Sequence, residues 1–259
     1  MRSRLITQIF LHLTKVICSA VLIFSMLGTS PARASVLWDQ PLSTSDTNAY
    51  VDQEFQDFTT FSSYIADDFV NTVPWDISTI FIPGSGWNGF SSLELATSLN
   101  FAIYADAAGL PAGIPPAAGT WNLSIAPDDA QIALSTGADG YLSNVTLNLS
   151  TDVNVAAGHW WLVFWPEMNF GSYGQYGRQP SDTTNEEAAL FINPGGGFSY
   201  GTGWQDLSVI GFRGGDVAFR LEGDLGTNNA VPEPTTMLLV GIGLAGIGLV
   251  RRSASKLGM

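Results

Sequence analysis

"NVTLNLS", residues 144–150, alternates without a break: Val145, Leu147 and Leu149 are apolar, while Thr146, Asn148 and Ser150 are polar. A period of two puts the apolar set on one face, the pattern of a strand covered on one side and wet on the other. "DVAFRLEG", residues 216–223, does the same with Val217, Phe219 and Leu221. "HWWLVFWP", residues 159–166, is apolar almost throughout, as a strand buried on both faces should be. "DISTIFIPG" (76–84) and "SLNFAIYAD" (98–106) are β-branched and aromatic runs that end in turn residues. "SYIADDFV", "GTWNLSI", "AQIAL" and "AALFINP" give weaker strand signals. "FSSLELATSLN" (90–100) holds a helical turn or two at most.

Turn chemistry separates these runs at Pro83-Gly84, Gly109 through Gly113, Pro127-Asp128, Asp139-Gly140 and Gly195-Gly196-Gly197. Many short strands, no convincing helix and no internal repeat predict an all-β fold for residues 35–226. The expected architecture is an antiparallel β-sandwich, jelly-roll-like.

The two ends of the 259-residue chain differ from this middle. Residues 1–34 begin with Arg2, Arg4 and Lys15, continue in an apolar run from Val16 to Leu27, and close on Ala32-Arg33-Ala34. That order predicts a signal peptide cut after Ala34 by the export machinery. The single cysteine, Cys18, falls inside it. The mature chain therefore has no disulfide and no thiol nucleophile, and few ways to hold zinc.

Between Ser35 and Ala230 the basic residues are Arg178, Arg213 and Arg220, with no lysine, and all but one of the 23 acids lie there. A phosphate backbone is repelled by such a surface, so nucleic acid is excluded as a partner.

The tail, residues 227–259, opens with a small-polar linker and "VPEP". Met237 to Val250 are then apolar or glycine, followed by Arg251 and Arg252. Gly241, Gly243 and Gly246 spell G-x-G-x-x-G, but a dinucleotide site needs a preceding strand and a downstream acid, and Pro234 and a basic end stand in their places. As a helix, 237–250 rises about 21 Å, short of a hydrocarbon core of about 30 Å. The expectation is a single, marginal C-terminal transmembrane helix with its arginines in the cytoplasm.

Val231, Pro232, Glu233 and Pro234, the short glycine-rich apolar segment, and Arg251-Arg252 together resemble a PEP-CTERM sorting signal. The resemblance implies a Gram-negative bacterium that makes exopolysaccharide. It implies an exosortase as partner, with transient inner-membrane insertion and cleavage near Pro232-Glu233-Pro234. The domain would then pass to the cell surface or extracellular matrix. "IYADAAGLPAG", with Asp106, Gly109 and Pro111, resembles a strand-to-turn stretch in β-sandwich ectodomains that carry such tails, most of which have no assigned activity.

Motifs with chemical meaning are few. Gly197-Phe198-Ser199-Tyr200-Gly201 matches G-x-S-x-G, but a nucleophile elbow needs a following helix and a later histidine, and the mature chain's one histidine, His159, comes earlier. The doublets Asp67-Asp68, Asp128-Asp129 and Glu186-Glu187 each present at most one carboxyl to a given strand face. Asp67, Asp68 and Asp216 are candidate ligands for a structural calcium ion. Trp87, Tyr173, Tyr176, Tyr200 and Trp204, in glycine-rich segments, are candidates for stacking on sugar rings. The expectation is a non-catalytic exported surface or matrix protein associated with exopolysaccharide. The alternative is a secreted polysaccharide hydrolase on a jelly-roll fold.

Overall fold

The computed structural model describes residues 34–211 and 215–226. The strands are β1 Ser35–Gln40, β2 Tyr50–Val51, β3 Glu54–Phe55, β4 Tyr64–Asn71, β5 Trp75–Ile82, β6 Gly84–Trp87, β7 Ser98–Ala105 and β8 Trp121–Ile125. They continue as β9 Ile132–Thr136, β10 Leu142–Val155, β11 Gly158–Met168, β12 Gln175–Arg178, β13 Leu190–Ile192, β14 Gln205–Asp206 and β15 Phe219–Leu225. Every run read from the sequence as a strand contains one.

One sheet has the order β1-β15-β5-β10-β9 and the other β14-β13-β4-β11-β7-β8, while β2-β12-β6 form a small third sheet. Four antiparallel pairs nest inside one another: β1 with β15, β4 with β11, β5 with β10, and β7 with β8. Such nesting is what an antiparallel ribbon rolled into a jelly roll produces, and it brings the first and last strands side by side.

The alternation of β10 explains the main core. Val145 and Leu147 are fully buried and pack with Ile77, Ile80, Ile82, Leu162, Phe164 and Leu221 between the sheets. Ile77 and Ile80 are three apart yet share this face. The pairing of β5 with β15 skips Ser78, a bulge that shifts the alternation by one residue.

β11 is apolar on both sides because both are covered. Leu162 and Phe164 enter the inter-sheet core. Trp161, Val163 and Trp165 point the other way, into a second buried cluster with Tyr64, Ala66 and Tyr104.

The structure differs from the sequence reading in two places, the start of β15 and an added helix. In "DVAFRLEG" the strand starts only at Phe219, and Val217 makes an isolated bridge to Pro180. The amide of Val217 donates to Asp67 Oδ2 at 2.6 Å rather than to a ladder. "FSSLELATSLN" holds, in line with the turn or two expected, a single 3₁₀ turn, Leu93–Leu95, whose cap Ser92 accepts from the Glu94 amide at 3.0 Å. A short helix, α1 Phe170–Tyr173, was not foreseen; Asn169 caps it by accepting from the Ser172 amide at 2.9 Å.

Among the described residues no helix is long and apolar enough to cross a membrane. The signal peptide with Ala32, the apolar segment 237–250, and the residues Val231, Pro232, Glu233, Pro234, Arg251 and Arg252 lie outside the described residues.

Candidate functional site

Asp67 and Asp68 stand in the middle of β4, and both are fully buried. Neighbouring strand residues leave on opposite sides, so the two carboxyls have different surroundings. Asp67 Oδ1 accepts the Asp68 amide at 2.8 Å, and its Oδ2 accepts from the Val217 amide and from Gln40 Nε2 at 3.2 Å. Asp68 Oδ2 lies 2.6 Å from His159 Nε2 and accepts the Glu187 amide at 3.2 Å. Asp216, also fully buried, accepts the Asn185 amide on Oδ2 at 2.6 Å. Oδ1 of Asp68 and Oδ1 of Asp216 are buried with no hydrogen-bond partner among the described residues.

Burial raises all three carboxyls, because a charged carboxylate loses its hydration there. Asp67 is raised well above the usual range by burial and then by the charge of Asp216; the Val217 amide and Arg178 pull it back. Asp216 is raised to about 7, by burial first, against the Asn185 amide, with Asp68 adding to the rise and Gln40 opposing it. Asp68 is raised to about 6 by burial, with the Glu187 amide and His159 opposing. The three sequence candidates for calcium are thus gathered where β4 meets the segment leading into β15. Even so, among the described residues no three His, Cys, Asp or Glu side chains already converge as a metal cage.

Two neighbours fix this cluster. Arg178 on β12 is fully buried, donates from Nη2 to the Ala218 carbonyl at 3.3 Å, and sits 6.0 Å from the Phe219 ring centre. Its charge acts on Asp52 and Asp67. On the other side His159 stacks on Trp161 at 5.5 Å, and Trp161 Nε1 donates to Asp106 Oδ1 at 2.9 Å. Asp106 also accepts the Gly109 amide, closing a turn in which Ala108 and Gly109 both have positive φ. The "IYADAAGLPAG" stretch is therefore a capped strand end, isolated-bridge Asp106 to Pro111 included.

The stacking candidates divide. Tyr173 and Tyr200 are exposed, and Trp87 and Trp204 are half-buried. Trp204 is anchored by its Nε1, which donates to the Gly113 carbonyl at 2.8 Å. Tyr176 must be corrected: it is fully buried, wedged between Phe90 and Phe164, and offers no face to a ligand. Alternation on β12 turns it inward, while its neighbour Gln175 is half-buried.

A feature that the sequence reading missed is an apolar recess of about 270 Å³, lined by Phe55, Phe58, Phe61, Phe170, Gln175 and Phe198. Phe55, Phe58 and Phe61 recur every third residue into a 3₁₀ turn, Thr59–Phe61, whose period of three suits that spacing. Asp57 holds Phe170 in place by accepting the amides of Phe170 and Gly171, each at 2.8 Å. The three-residue spacing in "EFQDFTTF" is the signal that would have found it. A second recess, about 730 Å³, is polar, with Ser45, Asp46, Asn48, Asp182 and Thr184 in its wall. There Asp182 ties two loops together, accepting from the hydroxyls of Ser43, Thr44 and Ser45.

G-x-S-x-G makes no nucleophile elbow. Ser199 lies in a loop at φ 63°, followed by the strand β14 and a 3₁₀ turn rather than an α-helix.

A model of the PEP-CTERM protein-sorting motif matches residues 230–252. No curated protein and no solved structure matches the chain. The chain thus carries, behind a largely antiparallel β-sandwich ectodomain, the PEP-CTERM sorting motif of an exosortase substrate, which supports an exported, sorted fate.

Proposed function

We propose that this is a non-catalytic protein of the cell surface or extracellular matrix. Its signal peptide, residues 1–34, delivers it to the export machinery, and the segment 237–250 holds it briefly in the inner membrane. An exosortase cuts near Pro232-Glu233-Pro234, and the sandwich is released to associate with exopolysaccharide. The observation that carries the reading is the sorting motif at residues 230–252. The polar recess beside Asp182 supports the polysaccharide part, because its hydroxyl, amide and carboxylate groups match the hydroxyls of a sugar chain.

Mass spectrometry of the exported protein tests the delivery. The expected mature form begins at Ser35 and ends near Pro232-Glu233-Pro234; an intact C-terminus on the exported form refutes exosortase cleavage. Co-sedimentation with the exopolysaccharide of the producing cells tests the association, and failure to co-sediment removes it. Release of new reducing ends during that incubation would replace the non-catalytic reading with the hydrolase.

A further inference from the structure

Three buried carboxyls lie near one another where β4 passes the segment that enters β15, and among the described residues few donors face them. Asp67 uses both oxygens on donors, namely the Asp68 amide, the Val217 amide and Gln40. Asp68 and Asp216 each satisfy one oxygen and leave the other buried and unpartnered among the described residues. A buried carboxylate oxygen without a donor is costly, and more so when charged. Among the described residues the guanidinium at hand is that of Arg178, which acts on Asp67 and is shared with Asp52, while the His159 ring faces Asp68. Glu187, whose charge also acts on Asp68, adds to the negative side.

We propose that this junction binds one divalent cation, calcium, with the free oxygens of Asp68 and Asp216 as its anionic ligands and Asp67 as the adjacent counter-charge. Calcium suits the place because it takes six to eight oxygens in flexible geometry and accepts main-chain carbonyls and water among them. Two inward-facing carboxylates are enough to start such a shell, so a ready-made cage of three side chains is not required. Magnesium demands a stricter octahedron and keeps its waters, which a fully buried pair favours less. The ion would clamp the start of β15 to β4, joining the two sheets at a point where the ladder is interrupted. The proposal stands on the ectodomain alone and is independent of the sorting reading.

The test is thermal unfolding of the purified full chain after EDTA treatment, titrated with CaCl₂ or MgCl₂, together with elemental analysis after dialysis against about 1 mM calcium. Calcium is expected to raise the midpoint saturably, half-saturating at about 0.1–1 mM as in extracellular modules, and to be bound at about 0.5–0.9 equivalent above the dialysis buffer. Asp216→Asn and Asp68→Asn should each weaken that response about tenfold or more, while Asp224→Asn, an exposed acid on β15, should leave it intact. A wild-type chain that retains no calcium and shows no calcium-dependent shift overturns the proposal. So does Asp216→Asn that keeps the full response, or that raises stability in a protein blind to calcium. The last result would assign neutralisation of the cluster to a proton. If Asp216→Asn does not fold, Asp68→Asn and the wild-type metal content decide the matter.

Discussion

The double burial of β11 can be tested by truncating one aliphatic side chain on each of its two faces. Leu162 and Val163 are both fully buried, Leu162 toward the inter-sheet core and Val163 toward the opposite cluster. Leu162→Ala removes three carbons, about 2.4 kcal/mol of transfer free energy at about 0.8 per carbon. With the cavity left behind, the loss should reach about 3–5 kcal/mol. Val163→Ala removes two carbons, about 1.6 kcal/mol, and about 2–3 kcal/mol with its smaller cavity. In a domain of this size each kcal/mol moves the midpoint by about 2–4 °C. The expected drops are therefore about 6–20 °C for Leu162→Ala and about 4–12 °C for Val163→Ala. Differential scanning calorimetry and urea unfolding of the full chain supply the measurement. A solvated outer face would confine Val163→Ala to about 0.5 kcal/mol. That result would refute the two-sided burial, and with it the reading of "HWWLVFWP" as a strand sandwiched between two covered faces.

Gly177→Ala should destabilise by about 1–3 kcal/mol or more. Its Cβ would stand 2.3 Å from the Tyr50 carbonyl oxygen and 2.8 Å from the Trp87 ring, and a stable variant would contradict the close approach of β2 and β12. Asp52, fully buried, is raised well above its ordinary value by burial, against the pull of Arg178 and the Ile65 amide. The stability it contributes is fully present below the ordinary carboxylate value and is lost as pH rises through the raised one. The midpoint of Asp52→Asn should therefore gain on wild type as pH rises from about 4; a gap that narrows as pH rises runs against the assignment. Phe58→Ser and Phe61→Ser, at exposed positions, should change stability by no more than about 0.5–1 kcal/mol yet weaken binding of an apolar fluorescent dye to the native protein. Undiminished dye binding would mean that the phenylalanine recess is not where apolar ligands go.

The strands were legible because their cause is local. Period-two alternation in "NVTLNLS" and a continuous apolar run in "HWWLVFWP" describe which faces are covered, whatever covers them. The chemistry at Asp67, Asp68 and Asp216 was legible as residue type, but their approach comes from the segment before β15 passing β4 of the other sheet, where the Val217 amide reaches Asp67, and not from the pairing of first and last strands. Their complete burial was not legible, since it depends on the 182–187 segment closing over the edge of β4. Tyr176 was misread for a related reason. The glycines around it suggested an open loop, yet β12 pairs with β6 and β2 and turns that ring into the core. The spacing of Phe55, Phe58 and Phe61 marks one wall of the phenylalanine recess, but Phe170 and Phe198, which complete it, come from segments that no local pattern connects to that wall.

The place of β15 has a further consequence for how the chain is made. It fills the slot between β1 and β5, and Ser35 pairs with Gly223, so the two ends of the sandwich leave from the same point. Until residues 219–225 are in place, β1 lacks its strand partner and β5 lacks one of its two. β15 ends at Leu225 and the sorting motif begins at residue 230. The sandwich can therefore lock shut only when nearly the whole chain as far as the sorting motif is present, so the last strand and the motif become available almost together.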